Sequence, residues 1–467
     1  MIDALRALLG VGLPWIVGYG WLRALRPVGA TNAYVEWGYG HFLGILILTL
    51  LMRLVGGFHA PLALRVLVPL LLGVAAAGII VIRHVAKRHP GDAVAAAVPG
   101  DPLAIRGLAI LVALLLLWRL GTLAIEVALR PLFPWDAWTQ WATKARVWSQ
   151  VHALVPFISM EAWLARTNGY VDSAPQYPTT VPLLQTWMAL ALGKFDDAMI
   201  NLPWLAGFVA FGLAAYGQLR AMSISVTWSL FALYMVLSLP LLDTHVALAG
   251  YADFHVAAAF ALALLALLAW ETRRSAIQVL LFAPMVALLP LLKVPGLVWA
   301  ATALLGWLVA AFGTSWKRVI GLATLTGAGA ALGAVLLWRA KIEYVAGIAE
   351  GGVARALLEN LFLFDNWHLL WFVLPLVVAL AWRDAAARMR GTSTSLACGV
   401  LFLLAIFAGT RAGTWAADYT TINRAVLHLA PAAALFCAVL LWSWALRRDR
   451  LEPQAMASPA AQSPTYD

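Results

Sequence analysis

The residues best suited to chemistry lie in Phe133-Pro-Trp-Asp-Ala-Trp-Thr-Gln-Trp-Ala-Thr-Lys-Ala-Arg-Val-Trp148, where one carboxylate, Asp136, stands among tryptophans just ahead of Lys144 and Arg146. A carboxylate held in such a place can act as a general base, taking the proton from an attacking hydroxyl. In water Asp titrates near ~3.9, too low for an effective base at neutral pH. Burial among Trp rings would raise that value, and Lys144 or Arg146 would lower it. After Pro134-Trp135 the same side chain is also placed to cap a helix by accepting backbone N–H bonds. One residue can do both.

Four other segments carry charge at interruptions of apolar sequence. Gly250-Tyr-Ala-Asp-Phe-His255 holds Asp253 and His255, with Asp243 and His245 expected in the same short loop. Position alone makes Asp253 a helix cap. Leu291-Leu-Lys-Val-Pro-Gly296 places Lys293 between Pro290 and Pro295, where a lone cation is costly unless it is solvated or meets an anion. A phosphate would serve, and so would Asp136 or Asp253. Arg411 and Arg424 stand in the outer loop between the last two apolar stretches, Arg424 just before the last, and guanidinium forks suit phosphate oxygens.

The elements that must position these groups are transmembrane helices. The chain has 467 residues, 63% of them hydrophobic and 12% charged, with a mean hydropathy of +0.85. A soluble domain could not hide that much apolar surface. Runs of roughly 18 or more apolar residues cross a ~30 Å hydrocarbon layer as helix, and the alternation of a lipid-facing barrel is missing from the sequence. The expected fold is all-α, a polytopic bundle of about thirteen spans near 8–24, 38–56, 64–82, 107–128, 199–219, 224–242, 254–270, 276–292, 297–313, 318–338, 368–382, 395–409 and 428–446. Cys398 and Cys437 both fall inside spans and read as small buried hydrophobes. CxxC pairs, HExxH, P-loop and GxSxG motifs do not occur, which weighs against zinc and nucleotide chemistry.

Basic residues give the orientation. Arg83, Lys87, Arg88 and Arg106 follow the third span, and Arg23, Arg26, Arg220, Arg273, Arg274, Lys317, Arg318, Arg383, Arg388, Arg390, Arg447, Arg448 and Arg450 fall on the same side. Short loops rich in Lys and Arg stay cytoplasmic. The Asp136 loop, 131–198, is then outside and the C-terminus inside. The net charge of +10 needs no nucleic acid, because basic clusters facing anionic lipid account for most of it. Three parts are expected: accessory helices and a basic connector over 1–105, a core over 106–446, and a disordered tail over 447–467. Within the outer loop, 135–150 reads as a surface helix with Trp138, Trp141 and Trp148 on one side, and Val181–Leu192 reads as a second interfacial helix. Arg119, well inside the fourth span, needs a partner; Glu126 lies too far along the helix for a simple pair, and a role in holding the bundle is expected.

In order and sidedness these features resemble the integral-membrane GT-C glycosyltransferases, in particular the bacterial branch related to protein O-mannosyltransferases and the lipid A aminoarabinose transferase. That family has a span, an outer loop with an acid just past the span end, and interfacial helices, matched here by 107–128, Asp136 and the two short helices. A proline-containing entry to a short helix resembles Tyr177-Pro178 through Pro182 to Gly193. A further acid resembles Asp253, a Lys-x-Gly or Lys-x-x-Gly break resembles Lys293-Val-Pro-Gly296, and an Arg before a Pro in the last span resembles Arg424 and Pro431. The resemblance covers about 106–446. It departs at Ala137, where many members carry a second acid, and at the reduced Tyr177-Pro178 entry.

The resemblance implies sugar transfer from a polyprenyl-phosphate sugar to a hydroxyl of a glycan, lipid or protein, on the periplasmic side of a bacterial inner membrane. Asp136 would be the base. Lys144, Arg146, Tyr177, Asp253, His255, Lys293, Arg411 and Arg424 would contact substrate. Ala137 disfavours an obligatory divalent ion, and no cofactor is expected. The alternatives are a transporter or flippase, and a polymerase or ligase for lipid-linked glycans. A transporter would be expected to carry intramembrane polar pairs and repeat symmetry. A ligase usually has its large outer loop late in the chain.

Overall fold

The computed structural model describes residues 2–25, 31–86, 103–313, 352–417 and 419–456. The span expected at 318–338, with Lys317, Arg318, Arg339 and Lys341, lies outside these residues, as do the 91–100 connector and the tail beyond 456.

The described chain is helical apart from one short parallel strand pair, Phe157–Ile158 with Tyr170–Val171. The first four long helices are α1 (Ile2–Leu25), α2 (Ala33–Gly57), α3 (Leu64–Ala86) and α4 (Leu103–Leu129). The outer loop folds into a π-helix (Ala137–Ala142) running directly into α5 (Thr143–Val151), a short α6 (Met160–Leu164) and α7 (Thr180–Leu192). Then come α8 (Leu202–Ala221), α9 (Val226–Leu237), α10 (Pro240–Ala247), α11 (Asp253–Arg273), α12 (Ala276–Leu292) and α13 (Gly296–Phe312). After the undescribed segment come α14 (Val353–Leu358), a second π-helix (Glu359–Leu363), α15 (Leu370–Leu380), α16 (Trp382–Ala387), α17 (Arg390–Gly409) and α18 (Thr420–Met456).

Among the described residues, eight helices are long and apolar enough to cross a membrane, or nine if the bent pair α9 and α10 counts as one span. Of the thirteen expected spans, the one at 318–338 lies outside the described residues, and those at 276–292, 297–313 and 368–382 appear as shorter apolar helices, Ala276–Leu292, Gly296–Phe312 and Leu370–Leu380. The expected 224–242 span is broken: α9 and α10 meet at 66° across Ser238 and Leu239. Pro240 opens α10, lacking the N–H that would continue the ladder. Asp243 and His245, expected in a loop, lie on α10. At 17 residues each, α12 and α13 are about 26 Å long, a little short of the hydrocarbon thickness. The last helix begins at Thr420, ahead of the expected 428. Arg424 is thus inside its first turns.

An apolar helix buried all round belongs at the centre of a bundle. That helix is α11, in which every residue from Asp253 to Ala269 is buried. It packs against α8, α12, α13 and α18. The accessory α1 and α2 close on each other through Gly18, Gly40 and Gly44, where a Cβ would strike backbone of the facing helix. α4 instead exposes Leu114, Leu117, Trp118, Ile125 and Leu129, the surface of a helix that meets lipid. These features are those of an integral multi-pass membrane protein.

Arg119 finds its partner at the helix break. Its Nε donates to the Leu237 carbonyl at 3.1 Å and lies 3.1 Å from Asp243 Oδ1. It thereby satisfies α9 carbonyls that the break leaves free. Arg273 donates to Ser223 Oγ at 2.8 Å, and Arg274 and Arg390 both reach the Ala310 carbonyl. These contacts gather the ends of α8, α11 and α13 with the start of α17, about 30 Å along α11 from Asp253.

Two expectations for the outer loop are corrected. The Trp face of 135–150 is not turned to lipid along its length: Trp141 and Trp148 are buried, and exposure is confined to its start, at Trp135 and Trp138. α7 is buried almost throughout, packed between α5 and the accessory helices α1 and α2. Both segments are covered by protein because the loop folds back over helices that precede it.

Candidate functional site

Four helix ends meet at one end of the bundle. α4 stops at Leu129 ahead of Pro131 and Pro134, and α12 stops at Leu292, just before Lys293, while α11 begins at Asp253 and α18 at Thr420. Asp136, Asp253, Lys293 and Arg424 therefore share one side, as their segregation from the basic clusters requires.

Asp136 makes no cap bond to the π-helix that follows it. Its carboxylate pairs with the Arg424 guanidinium instead. Both side chains keep partial exposure, 21% and 24%. Flanking Phe133, Trp135 and Trp138 are exposed, and the two indoles stand edge to face with centroids 5.2 Å apart. The guanidinium also lies over the Tyr251 ring, 5.2 Å from its centroid. Burial, reinforced by the neighbouring Asp136 carboxylate, holds the Tyr251 hydroxyl above its ordinary pKa.

The Tyr251-Ala252-Asp253 corner is set by Gly250. Its φ of +115° is a conformation L side chains rarely adopt, and an added Cβ would sit 2.7 Å from the Ala137 Cβ. Ala137 is itself fully buried. Position 137, where the family resemblance has a second acid, is filled by close backbone packing. The Tyr251 carbonyl accepts from Trp204 Nε1 at 2.8 Å, which fixes the corner from the other side.

Asp253 is fully buried at the start of α11. Its Oδ1 accepts from Lys293 Nζ at 2.7 Å and from His428 Nε2 at 2.8 Å. His428 lies one turn beyond Arg424 on α18 and accepts at Nδ1 from Trp299 Nε1, 2.9 Å away. The extended backbone at Lys293, between the prolines, turns its side chain back to the α11 terminus. Asp253 Oδ2, Arg424 Nε and His245 Nδ1 are buried and have no hydrogen-bond partner among the described residues. With His428 neutral, two acids face two cations. Among the described residues no three His, Cys, Asp or Glu side chains are placed so as to hold a metal ion.

The other expected residues fall elsewhere. Lys144 is buried and bound to the Ala174 carbonyl at 2.9 Å and Asp172 Oδ1 at 3.3 Å. Burial holds its pKa below the ordinary lysine value and that of Asp172 above the ordinary carboxylate value, although each charge favours the other. The pair clamps the 172–177 segment of the loop onto α5, and Tyr177 stacks on Trp141 at 5.4 Å. Arg146 is exposed, its guanidinium 5.7 Å from the Phe195 ring centroid. His255 points away from Asp253, edge-on to Trp204 at 4.9 Å, with both ring nitrogens unpartnered among the described residues. Arg411 is exposed in a 3₁₀ turn, Arg411–Trp415. Sequence reasoning assigned no role to His428, Trp299 or Tyr251. Arg424 and His428, four apart on one helix, carried the signal for the first, since that spacing stacks both on one face.

Comparison with protein-family models, with curated proteins and with solved structures gives no match for this chain.

Proposed function

We propose that the protein is a membrane glycosyltransferase that moves a sugar from a polyprenyl-phosphate donor to an acceptor hydroxyl, with its site on the periplasmic side of a bacterial inner membrane. The supporting observation is the Asp136–Arg424 pair, an acid and a cation both partly open, beside exposed Phe133, Trp135 and Trp138. Those rings follow a few residues after α4, whose Ile125 and Leu129 are also exposed, so a lipid tail lying against the end of that helix would bring its phosphate toward Arg424. GT-C membership rests on the order of motifs.

In this reaction the acceptor oxygen attacks C1 of the sugar. The new C1–O bond forms as the C1–O bond to phosphate breaks, with inversion in a single displacement. The acceptor proton passes to the Asp136 carboxylate, and the electron pair of the broken bond leaves on the lipid phosphate. Neutralising Asp136 removes the counter-charge of Arg424 just as the phosphate gains charge. Arg424 can then stabilise the leaving group where its charge develops. Lys293, held by Asp253, supplies a second cation behind it.

A transporter or flippase for an amphiphilic anion is the second reading. The bent α9–α10 pair and the ion pairs inside the bundle, Arg119 with Asp243 and Lys293 with Asp253, favour it. The two readings separate on covalent chemistry. Purified protein in lipid nanodiscs is incubated with a panel of polyprenyl-phosphate sugars, and release of polyprenyl phosphate is scored. Release marks a transferase; donor that stays intact while crossing the bilayer of a proteoliposome marks a flippase.

A further inference from the structure

Trp299 and His428 close the buried end of the cluster, one turn deeper along α18 than Arg424. An indole N–H only donates, so the atom it meets must accept. That atom is His428 Nδ1, at 2.9 Å, with the two rings nearly perpendicular at 85°. Nδ1 therefore carries no proton. The other nitrogen, Nε2, faces Asp253 Oδ1 at 2.8 Å and must carry one. The opposite tautomer would set two N–H groups against each other at Trp299 and a bare nitrogen against a carboxylate at Asp253. An imidazolium would keep the first of these conflicts. Only the neutral Nε2–H form satisfies both contacts.

We propose that Trp299 fixes His428 in this neutral tautomer and that His428 is a positioning residue, holding Asp253 Oδ1 in the place where Lys293 shares it. The surrounding charges act in the same direction. His428 is faced by Asp253 from α11, Lys293 from the α12–α13 break, His245 from α10 and Arg424 from its own helix. A third positive charge would sit beside two cations that Asp253 and Asp136 already match. The arrangement leaves Asp253 with one donor whenever Lys293 moves. Under the transferase reading Asp253 keeps this one hydrogen bond when Lys293 turns to a phosphate, although a neutral His428 does not replace the lysine's charge; the tautomer itself does not depend on that reading.

The test is nitrogen NMR of the full chain in lipid bilayers, labelled at histidine, with the His428 signals identified by their loss in His428→Gln. Across about pH 5.5 to 8, the range in which an ordinary histidine changes charge, wild-type His428 should show one protonated and one bare nitrogen throughout. In Trp299→Phe, which keeps an aromatic ring and removes the donor, a second protonated nitrogen should appear as pH falls. Double protonation or an Nδ1–H tautomer in the wild type overturns the proposal, and that measurement stands even where Trp299→Phe does not fold. A Trp299→Phe protein whose His428 stays in the single neutral form over the whole range also overturns it. Neither readout uses activity, so failure here is distinct from failure of the transferase reading.

Discussion

The guanidinium of Arg424 meets the carboxylate of Asp136 across 288 residues of chain, joining the first turns of the last helix to the loop after α4. The contact ties a candidate base to a candidate phosphate-binding cation. Exchanging the two charges separates structure from chemistry. Asp136→Arg alone places two cations together and should lower stability by about 1.5–3 kcal/mol, the worth of a charge-assisted hydrogen bond. The double variant Asp136→Arg with Arg424→Asp should regain much of that stability in thermal unfolding while remaining inactive, because base and cation have changed places. Recovery of turnover in the double variant would show that only their pairing matters.

Lys293 is nine-tenths buried against a fully buried Asp253, so its removal leaves an uncompensated charge. Lys293→Met keeps most of the volume and should destabilise the protein by about 3–5 kcal/mol. Adding Asp253→Leu to it should recover most of the loss, because a buried ion pair replaced by apolar groups is often near neutral in stability. Thermal unfolding of the purified single and double variants decides this. Equal stability of Lys293→Met and wild type would mean that the pair is solvated.

These four charged groups were legible in the sequence because each marks an interruption of apolar sequence at a helix end, and such ends collect at one face of a bundle. The covering of the outer loop was not. Trp141, Ala145 and Trp148 at helical spacing show that a face is apolar, but the same spacing serves lipid or protein, and α7 supplies the protein. The break at Pro240 was hidden inside a continuous apolar run. Lys144 looked like a free cation because its partner, Asp172, lies 28 positions on in an otherwise polar loop.

The Lys144–Asp172 clamp lies outside the membrane spans, so its pH dependence can be signed. Burial raises the folded pKa of Asp172, so the folded state holds its proton more tightly than the unfolded state. Stability from this group is present below the unfolded value of about 3.9 and falls as pH rises toward the raised folded value. Burial lowers the folded pKa of Lys144, so its share is present above the unfolded value of about 10.4 and falls as pH drops toward the folded one. A Lys144→Met, Asp172→Leu double variant should lose both dependences and unfold near or above the wild-type temperature at neutral pH. Each single variant should be less stable than the double.

Sidedness is open to direct labelling. Cysteines placed singly at Ser173 and Ser458, after replacement of Cys398 and Cys437, should differ in intact cells with a permeable outer envelope. An impermeant thiol reagent should reach Ser173→Cys and not Ser458→Cys. The reverse pattern would put the Asp136 cluster on the cytoplasmic side and remove the proposed mechanism.

The most direct measurement is polyprenyl-phosphate release by wild type and Asp136→Asn side by side, in nanodiscs, with a donor the wild type accepts. Asn preserves shape and keeps a hydrogen-bond acceptor for Arg424, yet it cannot take a proton. The account predicts a loss of about 10²–10⁴-fold in turnover, the usual contribution of a positioned base, with donor binding nearly intact. Equal release by Asp136→Asn, or none by wild type with any polyprenyl-phosphate sugar, would contradict it.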